Sequence, residues 1–451
     1  MHYPFFDVPQ IGGGLLIAIV AILHVVVAHF AVGAGLFIAV AHTLAIRRGD
    51  DLVLRFLRDN SRFLVLLAFI FGAVSGVGIW FTIGVVSPRA TSILIHNFVW
   101  GWAIEWVLFA VEIVAGYCYY YGWDRLSPSR HMAVAWIYAI ASYGSLVVIN
   151  GILAFMLTPG DWSTAIGAKH YDAAFWSGFF NPTFFPSLML RSLSSLALAG
   201  LFACVVVNLS HRYTREERTR IINYAAYCLA PMALMAPTSL WYFNHVPEAS
   251  RIMAAGGAIA MTLFLAFGIV CSLMIGAYAY FALIRKKQYV SLSTALLLSA
   301  MALVTTGAME FVREGIRKPY VIRDYLWSNG IADREAEYMP IALGGALSNA
   351  PWIVGDINLA TAGRKKRGEL IFRAQCAACH THDGANGIKH LVAYSRDIIR
   401  DDIEHLHERK NFMPPFLGTD RDKEDLAAYL FSLNHIAPKP RPGVETNGAQ
   451  R

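Results

Sequence analysis

The sequence predicts an all-α protein, a polytopic membrane bundle of about eight helices followed by a small soluble C-terminal domain. Two observations predict it. The chain of 451 residues is 56% hydrophobic and only 15% charged, where a soluble protein carries about 25% charged residues. The deficit is confined to residues 12–316, where long apolar runs alternate with short polar loops, whereas residues 317–451 have an ordinary soluble composition.

A span takes about 20 apolar residues, and the runs fall at roughly 14–46, 64–87, 95–121, 132–157, 187–209, 221–243, 254–284 and 290–313. The flanking cations predict their direction, because cytoplasmic loops collect Lys and Arg. Loops after odd-numbered runs hold Arg47, Arg48, Arg55, Arg58, Arg62, Arg125, Arg130, Arg212, Arg215, Arg218, Arg220, Arg285, Lys286 and Lys287. Loops after runs two, four and six hold only Arg89, Lys169 and Arg251. The odd loops are therefore expected in the cytoplasm and both ends of the bundle outside. The net charge of +7 belongs to these flanks, so no nucleic-acid partner is expected. No cleavable signal peptide is expected either, since the first run is too long and has no basic lead. Residues 338–355 are mildly apolar but short and broken by Gly, Asn and Pro, as suits a packed linker better than a ninth span.

Cys118, Cys204, Cys228 and Cys271 lie singly in apolar runs, as small buried hydrophobes do. Cys376 and Cys379 are different. Cys376-Ala377-Ala378-Cys379-His380 has the C-x-x-C-H spacing of a covalent c-type haem site. Two thiols reach the porphyrin vinyls, and the adjacent His reaches the iron. Met413, in Asn411-Phe412-Met413-Pro414-Pro415-Phe416, stands where a second axial ligand is needed, and Met/His ligation raises the potential. Helices are expected at 367–375, leading into the motif, and at 422–434, closing the domain. A zinc site would need a second Cys/His pair at ligand spacing, which is missing. His382, His390, His405 and His407 are expected on the surface. Residues 361–437 resemble class I cytochrome c, which implies one covalent haem c. Such attachment occurs outside the cytoplasm in bacteria, in agreement with the charge-derived direction. The expected division is a membrane domain at 1–320, an extracytoplasmic linker at 321–360, and the cytochrome c domain with its tail at 361–451.

Ionisable residues inside a span are candidate functional groups. The first run holds His24, His29 and His42, the third Glu105 and Glu112, and the eighth Glu310, Arg313 and Glu314, with Arg317 just beyond. Arg191 begins the fifth run, and Arg251 and Met253 begin the seventh. His24, His29, Arg251, Met253, Glu310, Glu314 and Arg317 share the outer half of the membrane. His and Met suit axial ligation, Arg suits propionates and Glu suits protons. The plainer alternatives are a backbone hydrogen bond for a lone His, and simple helix ion pairs for Glu310–Arg313 and Glu314–Arg317.

These positions resemble subunit I of cytochrome bd quinol oxidase over residues 12–320. Leu23-His24-Val25 with Gly33 is similar to the first-helix motif, which implies that His24 is an axial ligand of an active-site haem. Glu112, ten residues before Gly122-Trp123-Asp124-Arg125-Leu126, resembles the third-helix Glu. Arg251-Ile252-Met253 resembles the segment that supplies the Met ligand of the low-spin haem b. Glu314-Gly315-Ile316-Arg317-Lys318-Pro319-Tyr320 resembles a motif whose Glu lies at the high-spin haem b, with Arg317 then on a propionate. The chain also departs from the family. The large external loop that carries the quinol site shrinks to Asn244–Arg251, and the fifth-helix His aligns with Arg191. Glu105 sits one place off the other third-helix Glu, and the cytochrome c domain replaces a ninth helix.

The resemblance implies a membrane electron-transfer subunit of a bd-like terminal oxidase, passing electrons from haem c to membrane haems that reduce dioxygen to water. Glu105, Glu112 and Glu314 would be its catalytic carboxylates. His24, His29, Arg251, Met253 and Arg317 would serve one or more haem b groups, with the choice of haem d left open. His380, Met413, His24, Met253 and Glu314 are the groups expected at iron. The alternative is a membrane cytochrome without oxygen chemistry, exchanging electrons between a dehydrogenase or quinone pool and periplasmic cytochromes. The expected partners are the bilayer, a homologous second subunit with small subunits, and a periplasmic cytochrome or dehydrogenase as donor, with quinone use open. The expected location is the bacterial inner membrane, with the N-terminus and haem domain on the periplasmic side.

Overall fold

The computed structural model describes residues 6–434; the first five residues and the expected tail at 435–451 lie outside the described residues. Among the described residues, eight helices are long and apolar enough to cross a membrane. They are α1 (Gly13–Arg48), α2 (Asp51–Val86), α3 (Val99–Tyr121), α4 (Pro128–Phe155), α5 (Phe184–Leu209), α6 (Arg215–His245), α7 (Ile259–Arg285) and α8 (Leu292–Gly315). The chain is a multi-pass membrane protein. Large apolar side chains such as Val77, Phe81, Ile259 and Leu263 are exposed, as they must be where the solvent is lipid.

Local sequence explains where these helices start and break. The Asp50 side chain accepts the Val53 N–H at 3.3 Å, capping α2. Thr214 and Glu217 form a reciprocal capping box at the start of α6. Within α6 the chain tightens over Ala230–Leu234, where Pro231 offers no N–H to an α-helical ladder. The seventh span starts later than its apolar run suggests. Gly256 has φ 130°, which breaks the helix and leaves Glu248–Ile252 as a separate short turn. Arg251 and Met253 therefore precede the seventh span instead of beginning it.

Packing joins helices that are remote in sequence. A Cβ at Gly33 would overlap the Ser195 carbonyl, so α1 and α5 touch backbone to backbone only because residue 33 has no side chain. The main core around Phe30, Phe37, Phe56, Tyr138, Ala203 and Ile222 links α1, α2, α4, α5 and α6. Loops after α1, α3 and α5 meet through ion pairs. Arg55 binds Glu217 at 2.8 Å, Arg212 binds Asp59 at 2.9 Å, Arg220 binds Asp50 at 2.6 Å, and Arg58 binds Asp124. The loops that the cation count groups together thus lie at one end of the bundle. A second core, around Phe98, Phe155, Trp162 and Phe179, includes Ile322 and Leu326 of the hairpin β1 (Tyr320–Ile322) and β2 (Leu326–Trp327).

The contacts divide the chain into one unit from Gly14 to Asp333 and another from Arg334 onward, which also includes the stretch up to Gly13. The expected linker at 321–360 is shared between them. The hairpin belongs to the first unit, whereas α9 (Glu335–Gly344) and the turn Pro351–Val354 belong to the second. In the second unit α10 (Arg364–Gln375), α11 (Arg396–Glu404) and α12 (Asp420–Asn434) enclose a core of Leu370, Ile371, Phe372, Ile399, Ile403, Leu426 and Leu430. Gly368 lets α10 cross α12 closely, since a Cβ there would collide with the Asp425 carbonyl. Arg367 binds the buried Asp425 carboxylate at 2.6 and 3.0 Å. The N-terminal stretch is a strap on this unit: the Gln10 carbonyl accepts the Ala385 N–H at 2.8 Å.

Candidate haem sites

The C-terminal motif forms as a compact turn at the end of α10. The Cys376 N–H donates to the Phe372 carbonyl at 2.8 Å, and the His380 N–H donates to the Cys376 carbonyl at 2.9 Å. Burial, with Cys379 alongside, pushes the Cys376 thiol up to about 12. It is a neutral thiol in apolar surroundings, unlike the low-pKa thiolates of exchange sites. His380 Nδ1 lies 3.1 Å from the Asn386 carbonyl. A carbonyl only accepts, so Nδ1 donates and the neutral ring carries its lone pair on Nε2. This is how haem and metal ligands are generally oriented, and these residues fit a covalent haem. Asn386 is held in turn, donating to the Cys379 carbonyl at 2.7 Å. Met413 lies in an irregular loop, its N–H donating to the Lys410 carbonyl at 2.8 Å and its carbonyl accepting from His407 Nδ1 at 2.7 Å. Sequence reasoning missed Asn386 and His407, which act through backbone carbonyls and so leave no spacing signal. Of the four His expected on the surface, only His390 is exposed and His382, His405 and His407 are half-buried; His382 Nε2 meets the Tyr429 hydroxyl at 2.6 Å and its ring stacks on Phe372.

In the membrane unit His24 is half-buried, with Nδ1 3.1 Å from the Ser75 hydroxyl. That hydroxyl donates to the Phe71 carbonyl at 2.7 Å, so it accepts from Nδ1 and the lone pair of the His24 ring again falls on Nε2. His29 is buried, 7% exposed, and its Nδ1 has no hydrogen-bond partner among the described residues. Arg191 and Glu310 lie within electrostatic reach of it. Glu310 and Arg313 pair at 2.7 Å, and Arg191 and Tyr242 lie within electrostatic reach of them. Glu314 pairs with Arg317. These are the helix ion pairs foreseen as the plain alternative, but they do not satisfy the cluster. Arg317 also reaches the Met156 sulfur at 3.1 Å, while its buried Nε finds no partner among the described residues. Arg191, Arg313 and Arg317 outnumber Glu310 and Glu314. Of these cations Arg317 is the buried one; a buried charge needs full pairing, and a haem carboxylate would supply the missing partner.

Other expected residues stand apart from this cluster. Met253 is buried against Leu157, Val246, Met261, Val312 and Ile316, so its thioether packs among apolar groups. The Arg251 side chain is half-exposed and makes no hydrogen bond or ion pair with the described residues. Its neighbour Ser250 ties this segment to the end of α8, donating to the Ile316 carbonyl at 2.5 Å. On α3, Glu105 accepts from the Ser145 hydroxyl at 3.1 Å, and Glu112 is buried within electrostatic reach of Tyr138, whose hydroxyl donates to the Ala31 carbonyl at 3.2 Å. Seven residues place both carboxylates on one face, roughly 10 Å apart along the axis. Tyr242, Ser75 and Met156 complete the surroundings; only the fold reveals them, because each lies on a different helix from its partner. His42 lies away from these groups, with Nδ1 3.0 Å from the Tyr119 hydroxyl and its ring stacked on Trp123.

Known proteins share both halves of the chain. Residues 15–246 match cytochrome bd terminal oxidase subunit I, and residues 363–430 match cytochrome c oxidase, cbb3-type, subunit III. A putative cytochrome bd menaquinol oxidase subunit I of Bacillus subtilis (strain 168) is 27% identical over 212 residues, covering 46% of this chain and 46% of that protein. The chain thus matches about half the length of that relative. Cytochrome c6 of Pyropia yezoensis is 34% identical over 91 residues, covering 18% of this chain and 82% of that protein. The structure of bd oxidase from Geobacillus thermodenitrificans superposes with a TM-score of 0.57 at 15% identity, over 69% of this chain and 88% of that one. At that identity the likeness is one of fold.

Proposed function

Because the chain belongs to the cytochrome bd terminal oxidase subunit I family, we propose that it is the electron-transferring subunit of a bd-like oxygen reductase fed through its own haem c. Family and C-terminal domain make it a membrane haem electron-transfer protein of oxidoreductase type. The finer reading rests on one observation above all. The chain carries a C-terminal c-type domain, while the connection between α6 and α7, where the family holds its quinol site, is short, running only over residues 246–258. In this reading electrons arrive from a periplasmic cytochrome or dehydrogenase, not from quinol.

When bound, the haems would carry single electrons and offer iron to dioxygen. The chain's own groups do the rest. Cys376 and Cys379 would hold the c haem covalently, with His380 and Met413 as axial ligands. The Ser75 hydroxyl orients His24 so that Nε2 faces a ligand. Arg317, with its unsatisfied Nε, would bind a propionate beside Glu314, and His29 and Arg313 would complete the polar wall. Glu112 and Glu105 would hold and pass protons along one face of α3. A bis-ligated low-spin haem b does not fit. Arg191 occupies the position where the family places a His, and a guanidinium has no lone pair to give iron. Met253 and Arg251 therefore have no part in the proposed electron path. The outward position of both chain ends follows the cation count, and a homologous second subunit follows the family.

Arg191 also favours a second reading, a membrane cytochrome that only relays electrons. Oxygen uptake by the purified complex separates the two. The oxidase reading expects uptake with a reduced c-type cytochrome or artificial donor, and weak or no uptake with quinol. Full haem reduction without uptake would favour the relay. Robust quinol oxidation, sensitive to inhibitors of the family's loop site, would overturn the proposed electron input.

A further inference from the structure

We propose that His407 is a positioning residue for the c haem, holding the loop that presents Met413 to the iron. The proposal rests on reading Met413 as the axial ligand. It starts from a shortage of backbone anchors. Met413 is followed by Pro414 and Pro415, which have no N–H to donate, and no regular structure runs from Met413 to Leu417. Downstream the first anchor is Leu417, bonded through both its N–H and its carbonyl to the Gln375 side chain. Upstream the chain leaves the turn Leu406–Arg409. Between these anchors Met413 is held at two points. Its N–H reaches the Lys410 carbonyl at 2.8 Å, and its carbonyl accepts the His407 Nδ1–H at 2.7 Å.

The second bond has a specific consequence. A residue before proline is restricted to extended conformations, so fixing the Met413 carbonyl fixes the peptide plane and, with it, the direction of the side chain. A thioether is a weak, neutral donor, and its hold on ferric iron depends on being delivered in place. Without the imidazole the segment from Lys410 to Leu417 keeps one backbone bond at its centre and gains freedom to swing the sulfur away. The ring is half-buried beneath this loop, and its contact runs to the backbone, so the bond acts on the geometry of the loop and leaves the chemistry of the ligand unchanged.

The test uses the full-length haem-loaded protein and reads the red charge-transfer band of ferric Met-ligated haem together with the potential of the c haem. His407→Ala should keep the covalent haem, lose most of that band and lower the potential. A tenfold loss of ferrous-over-ferric thioether preference reads as a fall of about 59 mV in a one-electron couple. His407→Asn, whose amide N–H stands close to the position of Nδ1–H, should restore both. An unchanged band and potential in His407→Ala would overturn the proposal. If the Ala variant fails to incorporate haem, His407→Asn is compared with His407→Gln, whose N–H lies one bond further out. A band kept by Asn and lost by Gln supports positioning, and equal bands overturn it. Met413→Ala tests the underlying ligand reading separately, because a band that survives there removes Met413 as ligand whatever His407 does.

Discussion

The two units of this chain place their candidate haem-binding groups in opposite ways. In the C-terminal unit the proposed attachment groups are contiguous, Cys376 to His380, and the turn that arranges them is made by backbone bonds within a few residues. In the membrane unit His29, Arg191, Tyr242 and Glu310 come from four different spans and are brought together only by packing. A locally encoded site survives much change elsewhere. A site assembled across helices depends on close contacts such as that of Gly33 with Ser195. The comparison also separates two kinds of electrostatics. In the C-terminal unit the buried Asp425 carboxylate is met by Arg367 and Arg364, whereas in the membrane unit the buried Arg317 keeps an Nε without a partner among the described residues.

The sharpest way to break this comparison is to remove the local site. Replacing Cys376 and Cys379 together by Ala should abolish covalent haem entirely, seen as loss of haem staining on a denaturing gel, while the membrane haem spectrum persists. Staining that persists would refute the attachment site. Next comes the assembled site. His24→Ala should remove or alter a b- or d-type signal in the redox difference spectrum and leave the c band intact. Glu314→Gln should perturb a high-spin haem and slow turnover, because an amide can neither carry charge to Arg317 nor transfer a proton. If both variants assembled with full haem content and unchanged spectra, His24 and Glu314 would be packing residues. The smallest effect concerns stability alone. Arg367→Ala should destabilise the C-terminal unit by about 3 kcal/mol, the cost of leaving a buried carboxylate without its main partner. Thermal unfolding followed through the c haem band measures it, and a shift near zero would mean that Arg364 suffices for Asp425.

The same contrast explains what was legible in the sequence. Apolar length marked all eight spans, because crossing a bilayer is a composition requirement. The cation count grouped the loops that Arg55–Glu217 and Arg220–Asp50 bring together. The break at Gly256 was invisible because an apolar run continues through it, and only the positive φ shows that the helix stops. Around the sites, residue types that ligate iron could be picked out, but not the groups that orient them. Ser75 sets the tautomer of His24 from another span, and Asn386 does so for His380 through a carbonyl, which every residue possesses. The linker expectation blurred for a related reason. Moderately apolar residues such as Ile341, Leu347 and Ile353 signal burial, not the unit in which they are buried.

The strap formed by the stretch before α1 bears on how the chain is made. Gln10 leaves the ribosome before the first span, and its partner Ala385 only after the last. The C-terminal unit therefore lacks this bond throughout membrane insertion and forms it across a loop that encloses every span. The entropic cost of that closure grows only with the logarithm of loop length, and an even number of spans returns the chain to the side it started from. A haem domain excised at Arg334 is for this reason a different object from the one in the full chain. Its Ala385 N–H loses its acceptor, next to the loop whose Asn386 carbonyl orients His380.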